Sequence, residues 1–174
     1  MRIADLGAGS GVGLVHILAM TNKRIYLVGF DSSEGMLRRN RDKIRRFAEV
    51  ANRSVDRENI KNLRLVRHDL TEEFPKGEKF DIVFLSFVVN HIPVDKREKF
   101  FENINSILKE NGLLIMAQLI NQSKHDRNFA DWLLWVTQTH QGFPFKNEYL
   151  AMLSKYFKDI KGYLNSNIII ARRR

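Results

Sequence analysis

The chain has 174 residues, 44% of them hydrophobic and 28% charged, with no cysteine. That describes one ordinary globular domain and excludes disulfides, thiolate nucleophiles and thiolate metal sites together. No apolar run approaches the roughly 18 residues of a membrane-spanning helix, and the first residues form a charged, glycine-rich turn, not a secretory leader, so the expected setting is the cytoplasm with no membrane partner. The net charge of +9 admits nucleic acid as a partner. The eight basic residues between Arg38 and Arg57 are interleaved with Asp42, Glu49, Asp56 and Glu58, however, which is the pattern of a solvated helix face. A nucleic-acid partner is admitted but not favoured.

Strand and helix patterns alternate along the chain. Arg2–Leu6 reads as a short strand running into a glycine cluster, Gly13–Met20 as a helix with Leu14, Val15, Leu18 and Ala19 on its apolar side, and Ile25–Phe30 as a second strand. Ser32 or Ser33 caps the next helix, which Leu37, Ile44, Phe47, Ala48, Ala51 and Val55 extend as one element. Leu63–Arg67 is a third strand and Phe80–Phe87 a fourth. Asp95–Lys109 is a helix with Phe100, Phe101, Ile104, Ile107 and Leu108 inward, ended by Asn111-Gly112 before a fifth strand, Leu113–Ile120. Further on, Asp126–Thr139 and Asn147–Lys155 read as helices, and Ile160–Leu164 pairs with Ile168–Ala171 across Asn165-Ser166-Asn167. Short apolar strands separated by helices specify a parallel sheet covered on both faces, an α/β doubly wound, Rossmann-like fold with one antiparallel edge. No linker or repeat interrupts it, and residues 1–174 read as a single domain.

The segment Asp5-Leu6-Gly7-Ala8-Gly9-Ser10-Gly11-Val12-Gly13 joins a strand to a helix start, a generic cradle for nucleotide-like ligands. The dinucleotide fingerprint needs a third glycine five residues after the first. Counting from Gly7, Gly9 or Gly11 that position holds Val12, Leu14 or His16, and the Gly-Lys-Ser/Thr of a P-loop is absent. Asp5 would repel a pyrophosphate but attract a cation. Asp31 closes the second strand, where a carboxylate can accept from ribose hydroxyls, and Asp69 follows the third, where one can accept from an adenine amino group. Ser86 and Phe87 end the fourth strand. All of these fall at the carboxyl edge of the sheet, where open α/β folds bind ligands.

In this order the motifs resemble the class I S-adenosylmethionine-dependent methyltransferases, closest in pattern to the small-molecule branch. The carrying segments are the glycine turn, Gly29-Phe30-Asp31-Ser32-Ser33 with Met36-Leu37, His68-Asp69-Leu70, Phe80-Asp81-Ile82-Val83 through Asn90-His91-Ile92, and Leu108-Lys109-Glu110-Asn111-Gly112-Leu113-Leu114-Ile115. The resemblance implies a seven-stranded sheet of order 3-2-1-4-5-7-6 with the last strand antiparallel, and S-adenosyl-L-methionine as cofactor. It implies cofactor contacts from Asp5, Gly7, Ala8, Gly9, Asp31, Ser32, Met36, His68, Asp69, Leu70, Ser86 and Phe87. A base histidine follows the fourth strand in one related branch; here Asn90 aligns with it and His91 stands next, so His91 is the first candidate base for a hydroxyl acceptor and His140 the second. Trp135, Phe143 and Tyr149 are candidates for a substrate pocket. Family members carry helices before the first strand, so the expectation is a domain that lacks this cover, one whose cover a second copy or a partner chain supplies, or one whose true start lies upstream. The expected activity is O- or N-methylation of a small molecule. The alternatives are an RNA-directed methyltransferase and a non-catalytic module that keeps the fold and binds a partner.

Overall fold

The computed structural model of the chain describes residues 1–117, 146–163 and 168–174. Its strands β1 (Arg2–Leu6), β2 (Tyr26–Asp31), β3 (Leu63–Arg67), β4 (Phe80–Ser86), β5 (Leu108–Ala117), β6 (Phe157–Tyr163) and β7 (Ile168–Arg173) form one sheet in the order 3-2-1-4-5-7-6. The pairs β1–β2, β2–β3, β1–β4 and β4–β5 are parallel, while β7 runs antiparallel to both β5 and β6. This is the order that the resemblance implied, with the antiparallel edge expected from the hairpin pattern. The described helices are α1 (Val12–Met20), α2 (Glu34–Val50), α3 (Ser54–Lys61), α4 (Arg97–Ile107) and α5 (Lys146–Tyr156). None among the described residues is long and apolar enough to cross a membrane.

Strand alternation builds two cores, one on each face. Ile3, Leu27 and Ile82 face α1–α3, joining Leu14, Leu18 and Ile44. Ala4, Leu6, Val28, Phe30, Val83 and Leu85 face the other way, against Phe100, Phe101, Ile104, Tyr149 and Leu153. Each fully buried large side chain contributes roughly 1.5–3 kcal/mol. Gly29 is where the sheet lets α1 approach, since a Cβ there would lie 2.8 Å from Leu14 Cδ1 and 2.9 Å from Leu65 Cδ2.

Two elements differ from the sequence reading. The helix expected to run through Val55 ends at Val50, with Ala51 already extended, and α3 starts afresh at Ser54. The break lets Arg53 reach across, its Nη2 donating to the carbonyls of Leu18 and Ala19 at the end of α1 while it pairs with buried Asp56. Asn111-Gly112 does not end a helix either. It lies inside β5, where the pairing jumps from Phe80↔Leu108 to Ile82↔Leu113 and Asn111 takes φ 58°. Smaller shifts move β2 to Tyr26–Asp31 and the start of α4 to Arg97. The expected helix at Asp126–Thr139 lies outside the described residues, as do the last three residues of the expected fifth strand and the hairpin turn.

The basic residues are extensively tied into the fold. Arg41 pairs with Glu34, Arg45 with Asp42 and Arg24 with Glu58. Near the C-terminus Arg172 pairs with Asp159, while Arg173 donates to the Leu108 carbonyl and Arg174 to that of Phe157.

Candidate functional site

The carboxyl ends of β1, β2 and β4 and the chain that follows β3 and β4 enclose a cleft of about 560 Å³, within the range of small-molecule sites. Of the cofactor-site residues expected from sequence, Gly7, Gly9, Asp31, Ser32, Met36, Asp69, Leu70, Ser86 and Phe87 all line it, and so does His91. Thr71, Val88, Ile92, Pro93 and Lys96 line it as well, and sequence reasoning had not singled them out. Most of these belong to the two 3-10 turns Val89–His91 and Val94–Lys96 and the residues beside them, where no helical or strand period marks a face.

The glycine turn is held by the second strand. Gly7 and Ala8 both donate backbone N–H to the Phe30 carbonyl, at 2.8 and 2.9 Å. Gly7 sits at φ +70° with Val88 so close that a Cβ would come within 2.5 Å of its Cγ2, so only glycine closes the turn onto the segment after β4. Asp31 reaches back to the same turn: its Oδ2 accepts from Gly9 N–H at 2.8 Å and its Oδ1 from Ser33 N–H at 2.9 Å. Each oxygen retains a second acceptor position. Ser33 caps α2 through an Oγ that accepts from Met36 N–H at 3.3 Å. Asp69 Oδ1 accepts from both the N–H and the hydroxyl of Thr71 at 2.9 Å. The backbone bond from Thr71 is the main cause holding the Asp69 carboxyl below its ordinary range.

Asp5, Ala8, His68 and Tyr149 do not line the cleft. Asp5 is buried under the turn, 3% exposed. Desolvation, with a smaller contribution from the Asp31 charge, pushes its pKa from 3.8 up to about 7. Ala8 is buried and its N–H is spent on Phe30. His68 turns into the aromatic cluster below, its ring 4.7 Å from that of Phe74 and 5.9 Å from that of Phe30. Tyr149 lies in the core with its ring 6.0 Å from that of Phe101, and burial raises its phenol pKa. His140, Trp135 and Phe143 lie outside the described residues.

At the end of β4 the backbone is strained. Phe87 adopts φ 54° although it is not glycine, its N–H donates to the Ala117 carbonyl at 2.8 Å, and its ring is 49% exposed beside the cleft. Such strain concentrates where function requires a side chain in a fixed direction. Beyond it Asn90, which aligns with the base of the related branch, is buried, whereas His91, the first candidate base, is exposed and lines the cleft.

The pattern of a methyltransferase domain matches residues 4–114. The chain belongs to the methyltransferase-domain family. Among curated proteins this methyltransferase domain is similar to the carboxy-S-adenosyl-L-methionine synthase of Nautilia profundicola, 29% identical over 124 residues that cover 71% of this chain and 47% of the relative. Among solved structures it is similar to the S-adenosylmethionine-dependent methyltransferase SibL, with TM-score 0.76 and 15% identity over 99% of this chain and 50% of that one. The human N-acetylserotonin methyltransferase in complex with S-adenosylmethionine superposes at TM-score 0.73, with 16% identity over 99% of this chain and 47% of that one. A putative O-methyltransferase of Nostoc punctiforme does so at 0.76, with 18% identity over 99% of this chain and 51% of that one. At these identities the structures establish a shared fold. The chain spans about half the length of these relatives.

Proposed function

We propose that this domain binds S-adenosylmethionine in the cleft and transfers a methyl group from it to a small-molecule acceptor. The arrangement of charge carries the reading. Asp31 and Asp69 line the cleft and Asp5 is buried under the glycine turn, against one lining cation among the described residues, Lys96. Such a site favours a ligand bearing positive charge over a pyrophosphate, and S-adenosylmethionine carries both a sulfonium and an ammonium. Family membership, and relatives that bear this cofactor in their names, support the same ligand.

The cofactor supplies an activated methyl carbon, which leaves the protein to bind, orient and exclude water. In this reading Asp31, already aligned by Gly9 and Ser33, accepts from the ribose hydroxyls, and Asp69 uses its second oxygen toward the adenine amino group. Phe87 and Met36 cover the ligand with apolar surface. His91 takes the proton from an acceptor hydroxyl. His140, Trp135 and Phe143 stay candidates for contacts with the acceptor, and Tyr149, buried in the core, serves as packing.

The test is transfer of label from methyl-labelled S-adenosylmethionine to a panel of small hydroxyl and amine acceptors, with His91→Ala as control. Label on a small molecule, lost in His91→Ala while cofactor binding persists, supports the reading. Label appearing on RNA and on no small molecule contradicts it. A second reading comes from the curated relative, whose name implies that S-adenosylmethionine is itself carboxylated. Lys96, the one cation lining the cleft among the described residues, favours it as a partner for the added carboxylate, and a mass increase in the cofactor pool when a carboxyl-donating co-substrate is supplied distinguishes the two.

A further inference from the structure

Asn40 is fully buried near the middle of α2, on the stripe formed by Leu37 and Ile44, where helical spacing calls for an apolar residue. Its Nδ2 donates to the Gly9 carbonyl at 3.3 Å, whereas its Oδ1 is buried without a partner among the described residues. Asn59 offers the contrast. Equally buried, it is satisfied at both ends, Oδ1 accepting from Ile25 N–H at 2.9 Å and Nδ2 donating to the Lys23 carbonyl at 3.0 Å. A half-satisfied buried amide weakens a fold, so stability alone does not account for Asn40.

What Asn40 does reach is the glycine turn. Its amide fills the space over Gly11, where a Cβ would lie 2.3 Å from Oδ1. Gly9 is thereby gripped from two directions: its carbonyl accepts from Asn40, and its N–H donates to Asp31 Oδ2 at 2.8 Å. One turn along the same helix, Lys43 Nζ donates to Ser10 Oγ at 3.5 Å.

We propose that Asn40 is a positioning residue that braces the glycine turn from α2 and, through Gly9, fixes the Asp31 carboxylate in the direction its ligand needs. The inference rests on the reading of the cleft as a S-adenosylmethionine site. Asn40 does not line the cleft. Its effect passes through one backbone residue, which is why a change in helix α2 alters binding at the end of β2.

The test compares the unmodified chain with Asn40→Leu, close in volume and without the amide, and with Asn40→Asp, which turns a carboxylate toward the Gly9 carbonyl. S-adenosylmethionine affinity is measured by calorimetry, the thermal midpoint without ligand, and the Gly9 amide resonance by nitrogen-15 NMR. The expected result for Asn40→Leu is an unchanged or higher midpoint, about tenfold weaker binding and a displaced Gly9 resonance. A lower midpoint with unchanged affinity means a merely structural Asn40 and overturns the proposal. If Asn40→Leu fails to fold, Asn40→Asp carries the same expectation for affinity and for the Gly9 resonance, with a lower midpoint because its carboxylate is buried without a partner. If the unmodified chain binds no S-adenosylmethionine, the cofactor reading fails by itself. The brace is then judged by the Gly9 resonance, which overturns it if unmoved in both variants.

Discussion

Replacing Asp5 by asparagine should separate what stabilises the fold from what binds the cofactor. The folded chain raises this carboxyl from 3.8 to about 7, chiefly by desolvation. Below pH 4 the group is protonated folded or unfolded and is neutral for stability. Between pH 4 and 7 the folded state holds a proton that the unfolded state has released, so stability falls as pH rises, and above 7 it falls no further. At 1.36 kcal/mol per pKa unit, the Asp5 contribution should worsen by about 2–3 kcal/mol from pH 5 to pH 8, within a total of about 4 kcal/mol. Subtracting the unfolding free energy of Asp5→Asn from that of the unmodified chain, by urea denaturation at both pH values, cancels the other titrating groups. A cationic ligand prefers the ionised carboxylate, so S-adenosylmethionine affinity should move the opposite way, rising through pH 7 in the unmodified chain and losing that dependence in Asp5→Asn. A stability difference that is flat, or that rises with pH, would refute the reasoning.

Phe87→Gly removes the strain of φ 54° and gives up a ring already half exposed. Stability without ligand should hold or rise by up to about 1 kcal/mol while cofactor affinity falls; a less stable variant with full affinity would assign Phe87 to packing. Gly29→Ala drives a methyl against Leu14, Leu65 and Ala8 and should cost about 1–3 kcal/mol in urea unfolding. Arg53→Met leaves Asp56 buried without its ion pair and should cost about 3 kcal/mol, an effect absent if the α2–α3 break were held by backbone alone.

The central strands were legible because each is short, apolar and set between helical periods, so β1 and β3 begin and end where the pattern placed them, while the order of the strands came from the family resemblance. The acids were legible for a related reason. Asp31 and Asp69 stand where a strand runs out, and in a parallel sheet all such ends meet at one edge. The α2–α3 break was not legible, because its cause is Arg53 reaching carbonyls 34 and 35 residues away. Asn111-Gly112 has the chemistry of a helix stop and serves as an irregularity in β5, a choice made by pairing with β4. His68 was read with its neighbours as a cofactor contact, yet just past a strand end the alternation no longer determines which way a side chain points. The one overlooked residue with a visible mark was Asn40, a polar residue on the stripe of Leu37 and Ile44.

The most direct measurement is a calorimetric titration of the unmodified chain and of Asp31→Ala with S-adenosylmethionine, with NADH as control. Asp31 bonds Gly9 and Ser33 at the edge of the cleft, so S-adenosylmethionine should bind, NADH should not, and truncation should cost about 1–3 kcal/mol of affinity. Equal binding by both proteins, or no binding by a folded unmodified chain, would contradict the cofactor reading.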